Sequence, residues 1–325
     1  PARLAVAMAV LLLIGLVCAD HEKPLFRARS FFGVLRVEAD RETDEDGQSY
    51  VADHRLLHGS TEHGRQSCDP EEALQPWTYY HRTGPVGDLF EMLETRPAFR
   101  KRGRIGVVGL GTGTLAAYGQ PGQRLTFFEI DPAVDEIAHN PRFFTYLRDC
   151  RADLDVRLGD ARLSLEREEE LFDVLLIDAF SSDAIPVHLL TREALEIYFS
   201  KLARRGLLAV HISNRHLLLK PVLGNLAEAL GVAARVCDDD DESYLGKCRS
   251  TWVVLTLHAR DLGDLNENSG WKRIKTDSKK GLWTDDFSNI VSVIDWDLKW
   301  RWLPGWEWWH RHVKRPAQEE GPANE

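Results

Sequence analysis

Two apolar runs with different endings constrain the fold of this chain more than any other feature. The first, Arg104–Leu110, passes into a turn in which every second residue is glycine: Gly109, Gly111 and Gly113. A helix-compatible stretch follows, and the second run, Leu125–Ile130, closes on the acids Glu129 and Asp131. This order predicts a strand, a glycine turn, a helix and a second strand with an acid at its carboxyl end.

The glycine turn and the acid together predict a site for a nucleoside-type ligand. Glycine has no Cβ, so the backbone can approach a ligand where another residue would clash. Glu129 follows Gly111 by 18 residues, a spacing at which a carboxylate can accept hydrogen bonds from the hydroxyls of a ribose. A glycine turn without that acid would indicate only a tight turn.

Charge and cysteine content narrow the class of protein. The net charge of −10 does not suit a general nucleic-acid binder, which needs a basic face, and we expect no nucleic-acid partner. The same charge suits a cationic small ligand, or is simply that of a solvated acidic surface. Five cysteines are scattered without metal-ligand spacing, which indicates reduced thiols in a cytosolic environment.

After Arg104 the chain alternates strand-like and helix-like segments. This pattern predicts a doubly wound parallel sheet of Rossmann-like, methyltransferase-type α/β architecture. The predicted strands are 104–110, 125–130, 154–158, 172–178, 206–212, 233–237 and 250–257, and a helix is predicted over 187–202. Earlier in the chain, 31–37 and 49–57 flank a polar turn and predict a small β-hairpin domain.

In such sheets, ligands bind outside the carboxyl ends of the strands. That rule selects the glycine turn, Glu129, the pair Gly159–Asp160, and the segment from Asp178 to Asp183.

Polar and aromatic residues between the hairpin and the sheet, at 58–66 and 77–81, are either ligand contacts or packing groups. A metal site on His58, His63 and His81 is disfavoured because no carboxylate or cysteine lies at ligand spacing.

Both ends of the chain carry signals of a membrane. Leu4–Ala19 is uncharged and apolar, and is either a signal peptide or the end of a membrane span. Because residue 1 is proline, we favour the span, with the chain beginning inside a longer protein and its catalytic domain attached to the membrane in the cytoplasm. Six tryptophans in 296–309, beside basic residues, suit a membrane interface, or pack on the domain or on a partner subunit of a homodimer.

The predicted organisation has five parts. They are the end of a transmembrane helix or a signal-like segment at 1–20, an N-terminal β domain at 30–82, a Rossmann-like nucleoside-binding catalytic domain at 100–260, a C-terminal extension with the tryptophan-rich segment at 261–315, and a disordered tail at 316–325.

Taken together, several motifs resemble those of the spermidine synthases, the polyamine aminopropyltransferases. The motifs that carry the resemblance are Gly109–Gly113, Glu129–Asp131, Gly159–Asp160, Phe172–Asp178 and the pair Tyr80–His81. Two further segments, 177–186 and 283–289, are similar to the branch of that family fused behind a membrane transporter-like region. The resemblance spans roughly Phe31 to Ile294.

The resemblance implies transfer of an aminopropyl group from decarboxylated S-adenosylmethionine, a co-substrate and not a permanently bound cofactor, to a diamine such as putrescine. A sulfonium is a good leaving group, so the expected site needs no metal. The attacking amine of this small polyamine substrate is protonated at neutral pH, so a carboxylate must take or hold its proton. Most of the rate gain would come from aligning the two substrates.

By position in these motifs, the resemblance also implies roles for individual residues. Around the co-substrate, the turn Gly109, Gly111, Thr112 and Gly113 would hold the nucleoside, Glu129 the ribose, and Asp160 with Ala161 the adenine. Asp178 would accept the proton, Tyr80 would line the diamine site, His81 would border the sulfonium, and Asp183 would hold the distal ammonium. The alternative role for Asp178 is that of a helix N-cap.

This sequence departs from the family pattern at three places. Thr112 stands where the family has an aspartate that grips the aminopropyl amine, and Asp183 follows Asp178 at a wider spacing. A glutamine expected on the first hairpin strand is absent, and Gln66 is the candidate substitute. Two other functions therefore stay open: an S-adenosylmethionine-dependent methyltransferase, and a non-catalytic domain that senses a nucleoside or a polyamine for a membrane region. Fold alone does not separate them.

Overall fold

The computed structural model of the protein describes residues 23–179, 186–214 and 216–295. The predicted membrane segment Leu4–Ala19, the acid Asp183, the tryptophan-rich segment and the tail at 316–325 lie outside these residues. None of the helices in the described residues is long and apolar enough to cross a bilayer.

The chain begins with an antiparallel sheet of four strands in sequential order. These strands are β1 (Phe26–Ser30), β2 (Gly33–Thr43), β3 (Ser49–His58) and β4 (Thr61–Ser67). The predicted hairpin is the β2–β3 pair, and its turn is held by the carboxylate of Asp44, which accepts hydrogen bonds from the backbone N–H groups of Asp46 and Gln48.

Alternation along β2 and β3 gives this first sheet one apolar face. Leu35, Val37 and Leu56 point to that face and are buried. They form a small core with side chains that follow β6 in the chain: Ile137, Phe143 and Phe144. This packing joins the first sheet to the α/β part of the molecule.

A second sheet of eight strands confirms the predicted α/β class. Its strands are β5 (Arg104–Val108), β6 (Arg124–Glu129), β7 (Asp153–Leu158), β8 (Phe172–Ile177), β9 (Leu202–His211), β10 (Ala233–Asp239), β11 (Ser250–Thr256) and β12 (Trp271–Arg273). The order is β12-β10-β11-β9-β8-β5-β6-β7. The pairs among β5 to β9 are parallel, whereas β11 runs antiparallel to both β9 and β10.

The central strands are continuous apolar runs because both faces of the sheet are covered. The helices that cover it are α1 (Pro85–Glu94), α2 (Pro97–Arg102), α3 (Pro132–His139), α4 (Ala161–Arg167), α5 (Arg192–Ser200) and α6 (Lys220–Leu230). Side chains from α1 belong to one core cluster and side chains from α4, α5 and α6 to the other. Alternate residues of β8 enter the two cores, so the strand is buried except at Asp173, which is half-buried.

Two predicted helices differ in length from the expectation. The stretch after the glycine turn is only a short 3₁₀ helix, Thr114–Tyr118, which is followed by Gly119. Pro121 comes two residues later and disfavours helix at Gln120, the residue before it. The predicted helix at 187–202 is a 3₁₀ turn, Val187–Leu189, followed by α5. Thr191 caps α5 by accepting a hydrogen bond from the backbone N–H of Ala194 at 3.2 Å.

Candidate active site

A cavity of about 310 Å³ opens where β5, β6 and β8 end, between these strand ends and the first sheet. This is the edge at which ligands bind in open α/β sheets. The first sheet and the segment after it contribute Phe32, Leu35, Leu56, His58, His63, Tyr79 and Tyr80. The second sheet and its connections contribute Val108, Gly109, Leu110, Gly111, Phe128, Glu129, Ile130, Asp131, Val134, Asp160, Ala161, Asp178, Ala179, Pro186, His188 and Leu189.

The glycine turn brings three loops together at this cavity. Gly109 has φ of 96°, and a Cβ on it would lie 2.2 Å from the carbonyl oxygen of Asp178. A Cβ on Gly111 would lie 2.7 Å from the carbonyl oxygen of His63. Both approaches are closer than a side-chain carbon tolerates, so only glycine at these positions allows the turn to reach the strand end and the first sheet.

Glu129 is fixed at the end of β6 by the turns on either side of it. Its Oε2 accepts a hydrogen bond from the backbone N–H of Leu110 at 2.9 Å, and its Oε1 accepts one from Asp131 at 2.8 Å. Burial raises the pKa of Glu129, and these backbone hydrogen bonds only partly offset that rise. Each carboxylate oxygen can accept a further hydrogen bond, which leaves capacity for two ligand hydroxyls.

Asp160 and Ala161 lie beside Glu129 at the start of α4 and both line the cavity. The Oδ1 of Asp160 caps the helix by accepting a hydrogen bond from the backbone N–H of Leu163 at 3.0 Å. Its Oδ2 lies 3.9 Å from Nε2 of His188. One oxygen is therefore engaged by the helix, and the other faces a side chain that also lines the cavity.

Asp178 follows β8 and has a side chain that is only 3% exposed. Its Oδ1 lies 2.7 Å from Nδ1 of His211, and its Oδ2 accepts a hydrogen bond from the hydroxyl of Tyr80. Burial by itself would raise the pKa of Asp178, but the charge and hydrogen bond of His211, with the Tyr80 hydroxyl, outweigh it and lower the pKa. The carboxylate is therefore held in its ionised form. Of the described residues that follow, the next α-helix, α5, is capped by Thr191 and not by Asp178.

His211, which was not among the predicted site residues, fixes the orientation of this carboxylate. Its ring lies between Tyr79, at 4.3 Å between ring centroids, and Trp252, at 4.8 Å, and is stacked on both. Its Nε2 lies 2.6 Å from Oγ of Ser213, which accepts a hydrogen bond from the backbone N–H of Thr251. His211 ends β9, the neighbour of β8, so the strand-end rule would have found it had it been applied to the run 206–212.

Tyr79 and Tyr80 form the aromatic wall next to Asp178. Their rings are 4.4 Å apart, and burial together with the nearby charge of Asp178 raises the pKa of both hydroxyls well above the usual range. Both groups therefore stay neutral and can donate hydrogen bonds. Tyr80 lines the cavity as predicted for a substrate contact, and Tyr79 is an addition to the site.

Four of the predicted site residues that the structure describes do not line this cavity. They are Gln66, His81, Thr112 and Gly113. Gln66 is used structurally: its amide donates to the carbonyl of Ala73 and to Oγ1 of Thr145, and accepts from the backbone N–H of Thr145. His81 bonds Thr83 through Nδ1 and stacks on Tyr244.

Thr112 points away from the cavity and fills the space above a glycine of the first sheet. It is only 1% exposed, and its Oγ1 lies 2.8 Å from Oγ1 of Thr114. A Cβ on Gly64 would lie 2.3 Å from that same Thr112 oxygen, so the residues are in close contact. Gly113 is likewise packed, against Leu147. The turn thus contributes backbone, and no carboxylate, to the cavity.

A second and larger cavity, of about 700 Å³, adjoins the first and shares His63 and Tyr79 with it. Its other lining residues are Thr61, Glu62, Thr78, His211, Ser213, Asn214, Asp240, Glu242, Cys248, Arg249, Ser250 and Thr251. His211 thus touches the second cavity, while its partner Asp178 lines the first. Among the described residues, no group of three or more His, Cys, Asp or Glu side chains is arranged to hold a metal ion.

Comparison with known proteins gives one curated relative and a set of similar folds. No protein-family model matches the chain. A polyamine aminopropyltransferase of Vibrio vulnificus (strain CMCP6) is 31% identical over 169 residues, which cover 49% of this chain and 52% of that protein. The match thus spans about half the length of the curated relative.

Among solved structures, a probable spermidine synthase from Corynebacterium glutamicum ATCC 13032 matches with a TM-score of 0.55 and 18% identity, over 77% of this chain and 90% of that one. The spermidine synthase of Thermotoga maritima gives a TM-score of 0.48 and 12% identity, over 78% and 80%. The likeness to the first of these structures shows that the chain has the same fold, an α/β sheet preceded by a small antiparallel one.

Proposed function

We propose that this chain is an aminopropyltransferase that moves an aminopropyl group from decarboxylated S-adenosylmethionine to a diamine such as putrescine. The observation that carries the proposal is the position of Asp178, an ionised and buried carboxylate that lines the same cavity as the glycine turn and Glu129. The 31% sequence identity to a polyamine aminopropyltransferase over 169 residues supports the same activity.

The nucleoside half of the donor would occupy the part of the cavity near β5 and β6. Glu129 has oxygen lone pairs for the ribose hydroxyls, and Asp160 with Ala161 would lie beside the adenine. The backbone at Gly109 and Gly111 would pass close to the donor, since neither residue carries a Cβ. These contacts orient the sulfonium without taking part in bond making, so their contribution to rate is one of positioning.

The acceptor amine would approach past Tyr79 and Tyr80 towards Asp178. An ammonium must lose one proton before its nitrogen can attack, and Asp178 is the group that would take it. The nitrogen then forms a bond to the aminopropyl carbon that is attached to sulfur, and the bond between that carbon and sulfur breaks. The sulfur keeps the electron pair and leaves as a neutral thioether. The aromatic rings on one side of the path would favour a cation before the proton is lost.

Thr112 favours a second candidate, a methyltransferase that uses S-adenosylmethionine. With its side chain packed against Gly64, the glycine turn offers no carboxylate to a donor amine. A methyl donor with an ordinary carboxylate tail needs none at that point. For the proposed aminopropyl transfer, the amine of the donor would have to be held by other groups that line the cavity, such as Asp178 and the tyrosines.

The test is incubation of the purified protein with each labelled donor and a panel of amines, with mass-spectrometric detection of the transfer product and of the released thioether. We expect an aminopropylated amine and one equivalent of thioether with the decarboxylated donor. A methylated product from S-adenosylmethionine would establish the methyltransferase instead. If neither donor yields product although the nucleoside binds, the non-catalytic sensing role replaces both enzymes.

A further inference from the structure

The second cavity is larger than the nucleoside-type cavity beside it, and nothing in the proposed transfer to a diamine requires it. The two cavities share Tyr79 and His63 and therefore lie on either side of these side chains. A diamine whose reacting nitrogen lies at Asp178 has only one other nitrogen to place. The second cavity, at about 700 Å³, has room for a longer molecule.

Charge on the walls of the second cavity favours a cation. Glu62, Asp240 and Glu242 line it, as do Arg249, His63 and His211. Glu242 lies 3.4 Å from Arg249, and Glu62 lies 3.1 Å from Arg65, which is not on the wall. Glu62 comes from β4, whereas Asp240 and Glu242 come from the turn after β10. The carboxylates therefore stand on two different elements, one from each sheet. Acids on separate elements around one cleft concentrate cations within it.

Two buried hydroxyls give a second and independent indication of a ligand. Thr78 is 1% exposed and Ser250 is 4% exposed, and both line the second cavity. Within the described parts of the chain, neither Oγ1 of Thr78 nor Oγ of Ser250 has a hydrogen-bond partner. Most buried polar groups in proteins are paired, so hydroxyls without a partner at a cavity wall indicate a ligand that donates hydrogen bonds.

The backbone of Thr78 is itself unusual. It has φ of 63°, in the left-handed region that β-branched residues rarely adopt. Hydrogen bonds to the turn before β11 hold it there, from its N–H to the carbonyl of Gly246 and from the N–H of Cys248 to its own carbonyl. Strained residues of this kind concentrate at binding sites, where surrounding structure fixes them.

We propose that the second cavity binds the distal part of a linear polyamine with at least three amino groups, and that such a molecule, not a diamine, is the preferred acceptor. This inference rests on the proposed aminopropyl transfer. One terminal nitrogen reaches Asp178 beside Tyr79. The remaining ammonium groups donate hydrogen bonds to the wall carboxylates and to the hydroxyls of Thr78 and Ser250. The alkyl segments between nitrogens lie along the aromatic ring of Tyr79.

The experiment compares acceptors and variants in the full chain. We measure kcat/KM for a diamine, 1,4-diaminobutane, and for the triamine made by adding one aminopropyl group to it. The variants are Ser250→Ala and the double change Asp240→Asn with Glu242→Gln. The control is Glu136→Gln, which removes an exposed acid on α3 that lines neither cavity.

We expect the triamine to be favoured by about tenfold or more, the order given by one additional charge-assisted hydrogen bond. The double variant should raise KM for the triamine about tenfold, leave its kcat nearly unchanged and remove most of the preference. Ser250→Ala should raise the same KM about threefold or more without lowering the thermal midpoint, because it deletes a buried hydroxyl that has no partner among the described residues. Glu136→Gln should behave as wild type.

Calorimetric titration with the triamine alone separates this inference from the proposed function. The polyamine site would be overturned, and the transferase left intact, by two results together. Both amines would be used with equal efficiency, and KM in the double variant would change no more than in Glu136→Gln. If the triamine binds, binds more weakly to the double variant, and no amine is aminopropylated, the polyamine site would be supported and the proposed transferase activity would be contradicted.

Discussion

His211 is the residue that does most to define the chemistry of Asp178. Its Nδ1 fixes Oδ1 of the carboxylate, which leaves Oδ2 facing Tyr80 and the cavity. Stacking between Tyr79 and Trp252 prevents the imidazole from turning. His211 thus acts through Asp178 as a positioning residue. The carboxylate is oriented and kept ionised before any substrate arrives.

Replacing His211 by phenylalanine should separate orientation from packing. His211→Phe preserves an aromatic ring in the stack but removes both hydrogen bonds. Because His211 lowers the pKa of Asp178, its loss should raise that pKa, so the acid limb of the kcat/KM profile should move to higher pH. Turnover should fall by about 10- to 100-fold, less than for loss of the base itself.

Ser213→Ala is the matched control for this change, since it removes the contact at Nε2 and keeps the one at Nδ1. Its acid limb should stay where that of the wild type lies. Equal movement of the limb in both variants would contradict a specific effect of the Asp178 contact.

In the proposed function, Glu129 is the residue on which nucleoside binding depends. Glu129→Ala should reduce the affinity for a thioadenosine product by about 100-fold, the order expected for loss of two charge-assisted hydrogen bonds. The change also leaves the backbone N–H groups of Leu110 and Asp131 without their acceptor, so unfolding should be followed alongside calorimetry. Unchanged affinity in a folded variant would rule out Glu129 as the ribose ligand.

At the scale of elements, strand β3 carries a buried acid that should make the free energy of unfolding depend on pH. Asp53 is 4% exposed and pairs with Arg65 at 3.3 Å, yet burial raises its pKa from 3.8 to about 6. A raised folded-state pKa favours the protonated form. The contribution of the Asp53 side chain to the stability of the fold is fully present below about pH 4, and it is lost as the pH rises through about 6.

The free energy of unfolding of Asp53→Asn should therefore increase, relative to that of the wild type, as the pH rises. We expect the difference in free energy of unfolding between variant and wild type to grow by about 1 to 3 kcal/mol between about pH 4 and pH 7. Urea unfolding at both pH values measures it, with Glu45→Gln, an exposed change in the β2–β3 turn, as control. A difference that shrinks with pH would show that the Arg65 ion pair outweighs burial.

The order of elements was predictable because the strand and turn signals are local. The apolar run of β8 and the acid after it in the chain identified both a buried strand and the residue at its end. The polar turn at Asp44 identified the hairpin. In contrast, the residues after the glycine turn favour a helix by composition, but Gly119 and Pro121 limit that helix to a single 3₁₀ helix. Helix propensity therefore predicted a longer helix than the one that forms.

The parts of the site that sequence did not predict depend on contacts between distant segments. No local pattern encodes the packing of Thr112 on Gly64. The strand-end rule could have indicated His211, but not its contact with Asp178. Gln66 was selected for its amide alone, and its hydrogen bonds to Thr145 show why it serves structure instead. The placement of Asp183 stays a prediction, because that residue lies outside the described segments.

At the scale of the whole molecule, the acidic net charge of −10 and the acidic walls of the second cavity agree in sign. A cationic acceptor would be attracted by both. Such attraction weakens with added salt, since the screening length falls to about 8 Å at physiological ionic strength. We expect KM for a polyamine to rise with salt while the binding of a neutral thioadenosine stays nearly constant.

Attachment to a membrane is a prediction that concerns Leu4–Ala19, outside the described residues. If this segment ends a span, the full-length protein should stay in the membrane fraction after an alkaline wash, with its catalytic domain in the cytoplasm. Recovery of a chain that starts near Asp20 from the medium or the periplasm would establish the signal-peptide alternative.

The most direct test of the central claim is the turnover of Asp178→Asn with the decarboxylated donor and a polyamine acceptor. The change preserves size and removes the charge and basicity of the one carboxylate that His211 and Tyr80 hold. We predict a fall in kcat of about 10²- to 10⁴-fold, with thioadenosine affinity nearly unchanged. Turnover close to that of the wild type would contradict the account, because the proton would then leave the amine by a route that does not involve Asp178.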